Sequence, residues 1–378
     1  MTDCSCNAGQ TVQQTENCCC GPATKTGIIY KPVRSLGQID SPAGGIQRVA
    51  TEWDLSDHLG QALVRLGYHR MSYAVRPGLY AVGQPTADSP VFVSANYKLS
   101  FDILRRALPG VDGWLLVLDT KGVNVWCAAG KGTFGTAELI RLVRESELAQ
   151  VVRHRQLIVP QLGASGISAY VVEKQTGFTV TYGPVRAQDI AAFMKNGRSA
   201  GPGMRTVRFD LADRLAVSLL ELSQAWPKWF WISIILWLLF SFGPDGFQLS
   251  HGWQRAGFVI VGLWASILAG SVLTAALLPV LPGRMFSLKG AVAGLLSGIS
   301  LASASNYFHW FPVFPIPAVS LILLMTTISA YLAMNFTGAS TFTSLSGVKK
   351  EIKQSMPWII GGIVLAAVMQ ILCLFKLI

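Results

Sequence analysis

The chain has 378 residues with a formal net charge of +11, and 51% of the residues are hydrophobic whereas only 13% are charged. This length accommodates two domains, and so apolar a composition excludes an ordinary soluble protein and indicates a membrane part. A basic excess is typical of proteins that meet nucleic acid, an anionic membrane or an acidic partner. Because the sequence has no nucleic-acid-binding module and no long run of Lys or Arg, we expect no nucleic-acid partner and favour membrane topology as the explanation.

The first part of the chain is polar and rich in cysteine, and it shows no hydrophobic periodicity. We therefore predict that residues 1–45 form a disordered tail. Five of the seven cysteines lie in this tail, and Cys18, Cys19 and Cys20 are soft ligands that can capture a metal such as Hg(II). A tail with incidental thiols explains the same composition equally well. Because the cysteine spacing does not match iron–sulfur ligation, we expect no intrinsic iron–sulfur cluster.

Residues 46–200 alternate short apolar runs with segments of helical spacing, and Gly and Pro separate them. This alternation predicts an α/β domain of Rossmann-like type, with helices around a mostly parallel sheet. The predicted strands are 78–82, 90–93, 114–118, 156–159, 170–172 and 178–181. The predicted helices are 55–66 (where leucines recur at helical spacing), 100–108, 136–144 (with Thr136 as its N-cap) and 187–194.

Small or polar residues follow several predicted strands of this domain, namely Ala95, Asn96, Thr120, Gly163 and Ala164. In a parallel sheet, ligands bind in the crevice at the carboxyl ends of the strands, so these residues are candidates for cofactor binding. A turn cap is the alternative for each polar residue among them.

A single cysteine, Cys127, lies between the predicted strand 114–118 and the predicted helix that starts at Thr136. On its position alone, such a cysteine is more often a small buried hydrophobe than a reactive group. Small residues follow Cys127, so a flat ligand can approach the backbone closely. A helix N-terminus also favours the thiolate over the thiol.

The eight residues from Asn124 to Lys131 read Asn-Val-Trp-Cys-Ala-Ala-Gly-Lys. This run resembles the signature of the mercury-methylating corrinoid protein family, HgcA. Residues 91–98 and the apolar C-terminal segments agree with the resemblance, which covers the chain from about residue 51. It implies that Cys127 is the catalytic residue and the axial cobalt ligand of a cobalamin-type corrinoid. It also implies that the cofactor contacts the whole motif: Asn124, Val125, Trp126, Cys127, Ala128, Ala129, Gly130 and Lys131.

The resemblance implies a corrinoid-dependent methyltransferase that transfers a methyl group from cobalt to Hg(II), giving methylmercury. The Cys127 thiolate then lies on the cobalt face opposite the methyl group and pushes electron density toward it. The implied partners are a ferredoxin-like electron donor with two [4Fe-4S] clusters and a methyl donor, either a protein or a methyltetrahydrofolate-type compound. Two alternatives stay open: a membrane-anchored corrinoid methyl carrier of one-carbon metabolism, and a membrane protein that binds or transports mercury.

A thiolate reaches cobalt only if the segment that presents it lies nearly flat under the corrin ring. Side chains that project toward the ring must then be small. We expect Ala128, Ala129 and Gly130 to face the ring. Trp126 is too large for that gap, and we expect it to point into the domain core.

The C-terminal part contains five stretches that approach or exceed the length needed to cross a bilayer: 226–242, 256–281, 288–304, 313–336 and 357–377. We therefore predict an all-α transmembrane domain of five helices over residues 226–378, in contact with membrane lipids. Residues 201–225 read as a linker with an interfacial helix. Because no signal-peptide segment is visible and the Lys and Arg flanks fit the positive-inside rule, we expect a multi-pass protein of the cell (inner) membrane with a cytoplasmic N-terminal domain.

Gly290, Gly294 and Gly298 form a small-residue stripe for close helix packing.

Overall fold

The structure is a computed structural model that describes residues 28–70, 72–243, 246–310, 315–339 and 345–375. An α/β domain is followed by a bundle of long helices. The strands of the α/β domain are β1 (Ile29–Tyr30), β2 (Ser35–Ser41), β3 (Gly44–Val49), β4 (Tyr73–Ala74), β5 (Gly78–Val82), β6 (Val91–Ala95), β7 (Gly113–Leu118), β8 (Gln156–Val159) and β9 (Thr179–Tyr182). Its helices are α1 (Leu55–Arg65), α2 (Lys98–Arg106), α3 (Val125–Lys131), α4 (Thr136–Glu145), α5 (Leu148–Val151), α6 (Ala169–Thr176), α7 (Ile190–Lys195) and α8 (Pro202–Arg205), with short 3-10 turns at Gln161–Gly163 and Ala187–Asp189.

The central sheet has seven strands in the order β2-β3-β5-β7-β6-β8-β9. Strands β6 to β9 are parallel to one another, whereas β5 is antiparallel to β7. The chain moves from β6 to β7 in one direction and then passes β6 to reach β8 in the other. Such a reversal opens a crevice between the carboxyl ends of β6 and β8, where ligands bind in doubly wound folds. The predicted α/β class of the first domain, with its mostly parallel sheet, is confirmed.

Two apolar cores cover the two faces of this sheet. Because side chains alternate along a strand, neighbouring residues of β7 enter different cores. Leu115 packs with Phe101 of α2 on one face. Leu116 packs with Leu139 of α4 on the other face. The helix that follows β6 and the helices that follow β7 therefore lie on opposite sides of the sheet, as the crevice requires.

The N-terminal boundary of the sheet differs from the prediction. Residues up to 45 were expected in a disordered tail, but β2 and β3 form an antiparallel pair in which Ile39 lies opposite Ile46. Strand β3 then joins the sheet through parallel pairing with β5. Strands this polar show no hydrophobic period, so the sequence pattern did not reveal them. The first 27 residues, and with them Cys18, Cys19 and Cys20, lie outside the described part of the chain.

Two local predictions in the α/β domain are wrong. Residues 170–172 were expected to form a strand but lie in α6, where Val172 faces the core and Gly177 ends the helix at a φ of 75°. Three apolar residues are too few to distinguish a strand from a helical turn. Thr136 is the first residue of α4 rather than its cap, and its hydroxyl oxygen accepts a hydrogen bond from the Ser168 amide at 2.8 Å.

A buried ion network fixes α1 to α2. Asp57 of α1 accepts hydrogen bonds from Lys98 Nζ and Arg105 Nη2, each at 2.5 Å. Asp102 accepts from the same two side chains, at 2.7 Å from Lys98 Nζ and 2.8 Å from Arg105 Nε. All four side chains are buried. Two acids therefore neutralise two bases in a site without bulk water, which is the condition for burying charge.

This network predicts acid sensitivity of α1. Burial raises the pKa of Asp57, but the hydrogen bonds from Lys98 and Arg105 outweigh it, so the pKa lies below the ordinary 3.8. A lowered carboxyl pKa contributes stability above its unfolded value, and the contribution is lost as pH falls through the folded value. We expect amide protection in residues 55–65 to stay constant from neutral pH to about pH 4 and to fall below it. Hydrogen exchange at graded pH tests this, and Asp57→Asn should lose the dependence.

The C-terminal helices are α9 (Leu211–Phe240), α10 (Leu249–Ile267), α11 (Thr274–Ala276), α12 (Phe286–Phe308), α13 (Pro315–Ala339) and α14 (Leu345–Leu374), with a two-stranded hairpin, β10 (Phe242–Gly243) and β11 (Gly246–Phe247), after α9. A π-helical segment, Leu268–Leu273, joins α10 to α11. Within the described residues, four helices are long and apolar enough to cross a membrane: Leu249–Ala276, Phe286–Phe308, Pro315–Phe336 and Ser346–Leu374.

By length and composition, the predicted number of five spanning helices is therefore one too high. The predicted first span, 226–242, is the second half of α9, and the predicted interfacial helix is the first half of the same continuous helix. Pro227, Lys228 and several tryptophans make α9 less apolar than the other four. Its first half packs on the bundle, since Arg214 Nη1 donates to the carbonyl oxygens of Ala275 and Ala276 at 3.1 and 3.0 Å.

The predicted glycine stripe is confirmed as a helix-packing surface. A Cβ atom added to Gly290 would lie 2.4 Å from Ser329 O, and one added to Gly294 would lie 2.4 Å from Met325 O. Both oxygens belong to the backbone of α13, so α12 and α13 approach each other too closely for any larger residue.

Substitution of Gly294 tests this contact. We expect Gly294→Ala to lower the free energy of unfolding of the helical bundle by about 1–3 kcal/mol, the usual cost of overpacking. Gly361→Ala on α14 is the control, because a Cβ at Gly361 meets no atom within 4 Å. Thermal unfolding of both variants in detergent, followed by circular dichroism, provides the comparison. Equal melting temperatures would contradict the close approach of α12 and α13.

Candidate functional site

Beside this crevice, the carboxyl ends of β6 and β7 are joined by one buried amide, Asn96, at the end of β6. Its Oδ1 accepts hydrogen bonds from the amides of Thr120 and Gly122, each at 3.0 Å. Its Nδ2 donates to Asp119 Oδ1 at 3.1 Å. One side chain thus joins the ends of two strands and holds the turn that follows β7.

Three predicted cofactor contacts form the floor of this crevice. Ala95, Asn96 and Thr120 are fully buried. The Thr120 hydroxyl lies 2.6 Å from the Val123 carbonyl oxygen and 2.9 Å from Asn96 Oδ1. Because the polar atoms of the floor are already paired within the protein, these residues position the turn rather than face a ligand. The turn-cap alternative accounts for them.

The cysteine motif forms its own helix, α3, where the sequence suggested a loop before a later helix. Asn124 is the N-cap, and its Oδ1 accepts a hydrogen bond from the Cys127 amide at 2.9 Å. Gly132 ends the helix in the left-handed region with a φ of 79°. Cys127 therefore lies in the first turn of a short capped helix at the carboxyl end of β7.

Helical geometry separates the motif into two faces, and the result reverses the expected orientations. Ala128 and Ala129 are buried in the core with Val125, so neither faces a ligand. Trp126 was expected in the core, but 45% of its surface is exposed. The open face of α3 consists of Trp126, Gly130 and Lys131, with Cys127 half-buried between them. At 3.6 residues per turn, positions 126, 127, 130 and 131 share one side of a helix.

Phe134 and two glycines support α3 from behind. Phe134 is fully buried, and a Cβ added to Gly163 would lie 2.4 Å from its ring. A Cβ added to Gly166 would lie 2.2 Å from Phe134 O and 3.1 Å from Ala129 Cα. The loop with Gly163 and the half-buried Ala164 therefore supports the helix and does not form the ligand surface that was predicted. Phe134 was not identified from the sequence, although its place in the glycine-rich run 130–135 is a signal for close packing.

Two glycines on opposite sides of α3 give a matched prediction. Gly166→Ala should cost about 1–3 kcal/mol, because its new methyl group meets backbone atoms. Gly130→Ala meets no atom within 4 Å, and alanine is favoured over glycine inside a helix by roughly 0.5–1 kcal/mol. We expect pulse proteolysis of the full chain in urea to show lower stability for Gly166→Ala and slightly higher stability for Gly130→Ala. The reverse order would contradict the assigned faces of α3.

An apolar cleft of about 330 Å³ opens beside α3. Asn124 and Trp126 form one wall of the cleft, and it lies between α3, α2 and the ends of β6, β8 and β9. Val125, a predicted cofactor contact, also lines the cleft. The other wall residues were not identified from the sequence: Phe92, Val93, Ser94, Ser100, Ile103, Leu104, Ile158, Pro160, Leu162, Gly183, Pro184, Val185, Ala187 and Ile190. They belong to several elements that are far apart in the sequence, so no local pattern relates them.

Tyr97 completes the surroundings of the thiol. It follows Asn96, only 5% of its surface is exposed, and its hydroxyl has no hydrogen-bond partner among the described residues. Burial raises the pKa of Tyr97, and the nearby Cys127 acts in the same direction. A buried hydroxyl without a partner is uncommon. It leaves an unused hydrogen-bond donor in the residue that follows Asn96.

Over the described ranges, no group of three or more His, Cys, Asp or Glu side chains is arranged to hold a metal ion. Cys127 and Cys373 are the cysteines of these ranges, neither of them in a disulfide, and Cys373 lies in α14. A single thiol on an open helix face can supply one ligand to a metal whose remaining ligands come from elsewhere.

The part of the chain that contains this site is similar to known proteins. Residues 68–194 match the family model for the CO dehydrogenase/acetyl-CoA synthase delta subunit, CdhD. The acetyl-CoA decarbonylase/synthase complex subunit gamma of Archaeoglobus fulgidus is 34% identical over 128 residues, which are 33% of this chain and 27% of the relative. The corrinoid/iron–sulfur protein large subunit of Moorella thermoacetica is 28% identical over 123 residues, 32% of this chain and 27% of the relative.

The chain thus spans about a quarter of the length of these curated relatives. The matched segment contains Asn96, the cysteine helix, Phe134 and the cleft, and it stops before the apolar helices. The match to the CdhD family model therefore lies within the α/β domain.

Proposed function

We propose that the α/β domain binds a corrinoid with Cys127 as cobalt ligand, and that the chain transfers a methyl group to Hg(II) while anchored in a membrane. The observation that carries this proposal is the position of Cys127 on the open face of α3, at the carboxyl end of β7. The relatives support the cofactor, since one is a corrinoid/iron–sulfur protein and the others belong to an acetyl-CoA decarbonylase/synthase complex. They favour a corrinoid-binding family of one-carbon metabolism without selecting its mercury-methylating members.

The residues around Cys127 fit such a cofactor. A corrinoid is a broad, flat ring with a nucleotide tail, so it needs a face free of tall side chains and space beside it. Gly130 leaves the face next to Cys127 open, with nothing within 4 Å of the position a Cβ would take. The cleft of about 330 Å³ beside Trp126 offers apolar walls. The unpaired Tyr97 hydroxyl offers a hydrogen-bond donor to a ligand rich in amide groups.

Each residue of the site then has a task. Asn124 binds the Cys127 amide and fixes the first turn of α3, so the sulfur has a defined direction. Asn96 holds the turn that carries Asn124, so the site exists before the ligand arrives. Cys127 would hold the cobalt of a bound corrinoid through its thiolate, a soft ligand, and the corrinoid would supply the methyl group for transfer to Hg(II).

A second candidate function is supported by the comparisons. In it, the chain is a corrinoid methyl carrier of one-carbon metabolism, because its relatives are subunits named for acetyl-CoA decarbonylation and synthesis. The site suits both functions equally. The assignment to Hg(II) rests on the resemblance carried by Asn124 to Lys131.

The proposal includes a location and partners. The apolar helices anchor the chain as a multi-pass protein of the cell membrane, with the α/β domain on the cytoplasmic side. Low-potential electrons come from a ferredoxin-like protein with two [4Fe-4S] clusters, and the methyl group comes from a donor protein or a methyltetrahydrofolate-type compound. The relatives belong to multi-subunit complexes, which supports protein partners of this kind.

The experiment uses the full chain, purified anaerobically in detergent and reconstituted with methylated corrinoid. Its absorption spectrum is recorded, and methylmercury is measured after addition of Hg(II). A corrinoid band together with methylmercury supports the proposal. A corrinoid band without methylmercury supports the carrier function instead. Colourless protein after reconstitution rejects both and leaves a mercury-binding or transport protein as the remaining alternative.

A further inference from the structure

Helix α1 is amphipathic, but its more polar side faces the domain and its leucine-rich side faces outward. Its buried residues are Asp57, Gln61 and Val64. Its opposite side carries four leucines with 37% to 75% of their surfaces exposed, and we call this set the leucine face: Leu55, Leu59, Leu63 and Leu66. They recur at intervals of four, four and three residues, which places them on one side of a helix. Exposed apolar faces of this kind mark interaction surfaces.

The polar side of α1 cannot turn outward to bury the leucines. Asp57 is bound by Lys98 and Arg105 of α2. Asp54 and Asp57 also form a reciprocal capping box at the start of α1. Rotation of the helix would take Asp57 away and leave Asp102 to face both buried cations, Lys98 and Arg105, which is strongly unfavourable. The leucine face is therefore fixed in its outward position and needs a partner outside the domain.

The leucine face adjoins the first long helix of the bundle. Ser223 Oγ of α9 donates a hydrogen bond to the Leu66 carbonyl oxygen at 2.5 Å. Ser223 precedes Trp226 by three residues, a rise of about 5 Å along the helix axis. Trp226 is exposed and opens the apolar half of α9. The end of α1 thus lies at the level where α9 changes from polar to apolar.

The charges around this end are basic. Arg65, His69 and Lys228 are exposed there, and the exposed Tyr68 lies among them. The exposed acid Glu52 precedes the opposite end of the helix. Leucines flanked by basic and aromatic side chains are typical of helices that lie in the interfacial region of an anionic membrane.

We propose that the leucine face of α1 inserts into the interfacial region of a bilayer that contains anionic lipids, with α1 parallel to the membrane plane. This proposal rests on the membrane anchoring proposed above. It assigns the α/β domain a second attachment to the membrane, in addition to the covalent one through α9. The crevice with Cys127 is then held at a fixed distance from the lipid surface.

Photo-crosslinking of the full chain tests whether lipid contacts the leucine face. The chain is reconstituted into nanodiscs of phosphatidylcholine and phosphatidylglycerol, with Leu59→p-benzoylphenylalanine or Leu63→p-benzoylphenylalanine as the probe. Tyr170→p-benzoylphenylalanine is the negative reference, because Tyr170 lies on α6 of the same domain and is even more exposed than Leu59 and Leu63. Leu365→p-benzoylphenylalanine is the positive reference, because Leu365 is exposed in the apolar part of α14. Lipid adducts are measured by mass spectrometry.

We expect lipid adducts at Leu59 and Leu63 to exceed those at Tyr170 severalfold, and to decrease when phosphatidylglycerol is omitted. Adducts at Leu365 without adducts at Leu59 and Leu63 would overturn the inference and leave membrane anchoring intact. Crosslinks from Leu59 or Leu63 to a second copy of the chain would replace the lipid by a protein partner and also overturn it. No lipid adduct at any position, Leu365 included, would reject membrane anchoring and this inference together.

Discussion

Cys127→Ala is expected to abolish methyl transfer to Hg(II) while the fold stays intact. The side chain is half-buried on the open face of α3, so its truncation leaves no cavity in either core. Loss of groups that merely orient a metal ligand already reduces activity about 10–100-fold, so loss of the ligand itself should reduce it further. The variant should keep part of its corrinoid through the cleft and lose the absorption bands of cobalt–sulfur coordination.

Two further variants make this test specific. Cys373→Ala removes the second cysteine of the described residues, which lies in α14, and should leave methyl transfer unchanged. Cys127→His supplies a ligand without negative charge and should retain little or no activity, since electron donation by the thiolate is lost. Equal activity of Cys127→His and the unmodified chain would refute the thiolate argument. Normal methylation by Cys127→Ala would refute the site.

Arg105→Met should destabilise the α/β domain by about 3–5 kcal/mol, the cost of breaking a buried ion pair from one side. Besides its bonds to Asp57 and Asp102, Arg105 Nη1 donates to the carbonyl oxygens of Ala50 and Glu52 at 2.7 and 2.9 Å. In the variant, Asp57 and Asp102 keep Lys98 but each loses a donor, and the two carbonyl oxygens lose the Arg105 donor. Because the connection from β3 to α1 passes through Ala50 and Glu52, we expect α1 to lose its protection first.

Arg141→Met is the matched control. Arg141 also binds two acids, Glu138 and Glu145, but 44% of its side chain is exposed. Exposed pairs of this kind contribute about 0–1 kcal/mol. Pulse proteolysis of both variants in urea should show a large loss for Arg105→Met and a small one for Arg141→Met. Similar losses would contradict the view that burial, rather than the number of ion pairs, sets the energy of the network.

The sequence was informative wherever a signal is local. The apolar runs that became β5, β6, β7 and β8 were predicted within a residue or two, because short buried strands between Gly and Pro have few alternatives. The rule that ligands bind at the carboxyl ends of parallel strands placed the crevice correctly. The role of Cys127 stays a prediction, and it came from the resemblance of the motif rather than from periodicity.

Reasoning from the sequence was insufficient where residues far apart in the chain determine which side of a helix is buried. A leucine stripe at helical spacing is ordinarily the buried face of a helix. In α1 the ion pairs of Asp57 with Lys98 and Arg105, which lie 41 and 48 residues away, reverse that preference. The predicted orientation of Trp126 was wrong for a local reason. Asn124 as N-cap starts a helix inside the motif, and a helix turns Trp126 outward where an extended loop would have allowed it inward.

Pro227 interrupts the backbone hydrogen bonding of α9. Proline has no amide hydrogen, so the carbonyl group four residues earlier, that of Ser223, lacks its helical partner. Ser223 is also the residue whose hydroxyl binds the α/β domain at Leu66. The weakest point of α9 therefore coincides with the place where the domain is attached. Two contacts limit a bend at this point, since Ser223 holds the α/β domain at Leu66 and Arg214 holds the first half of α9 to the bundle at Ala275 and Ala276.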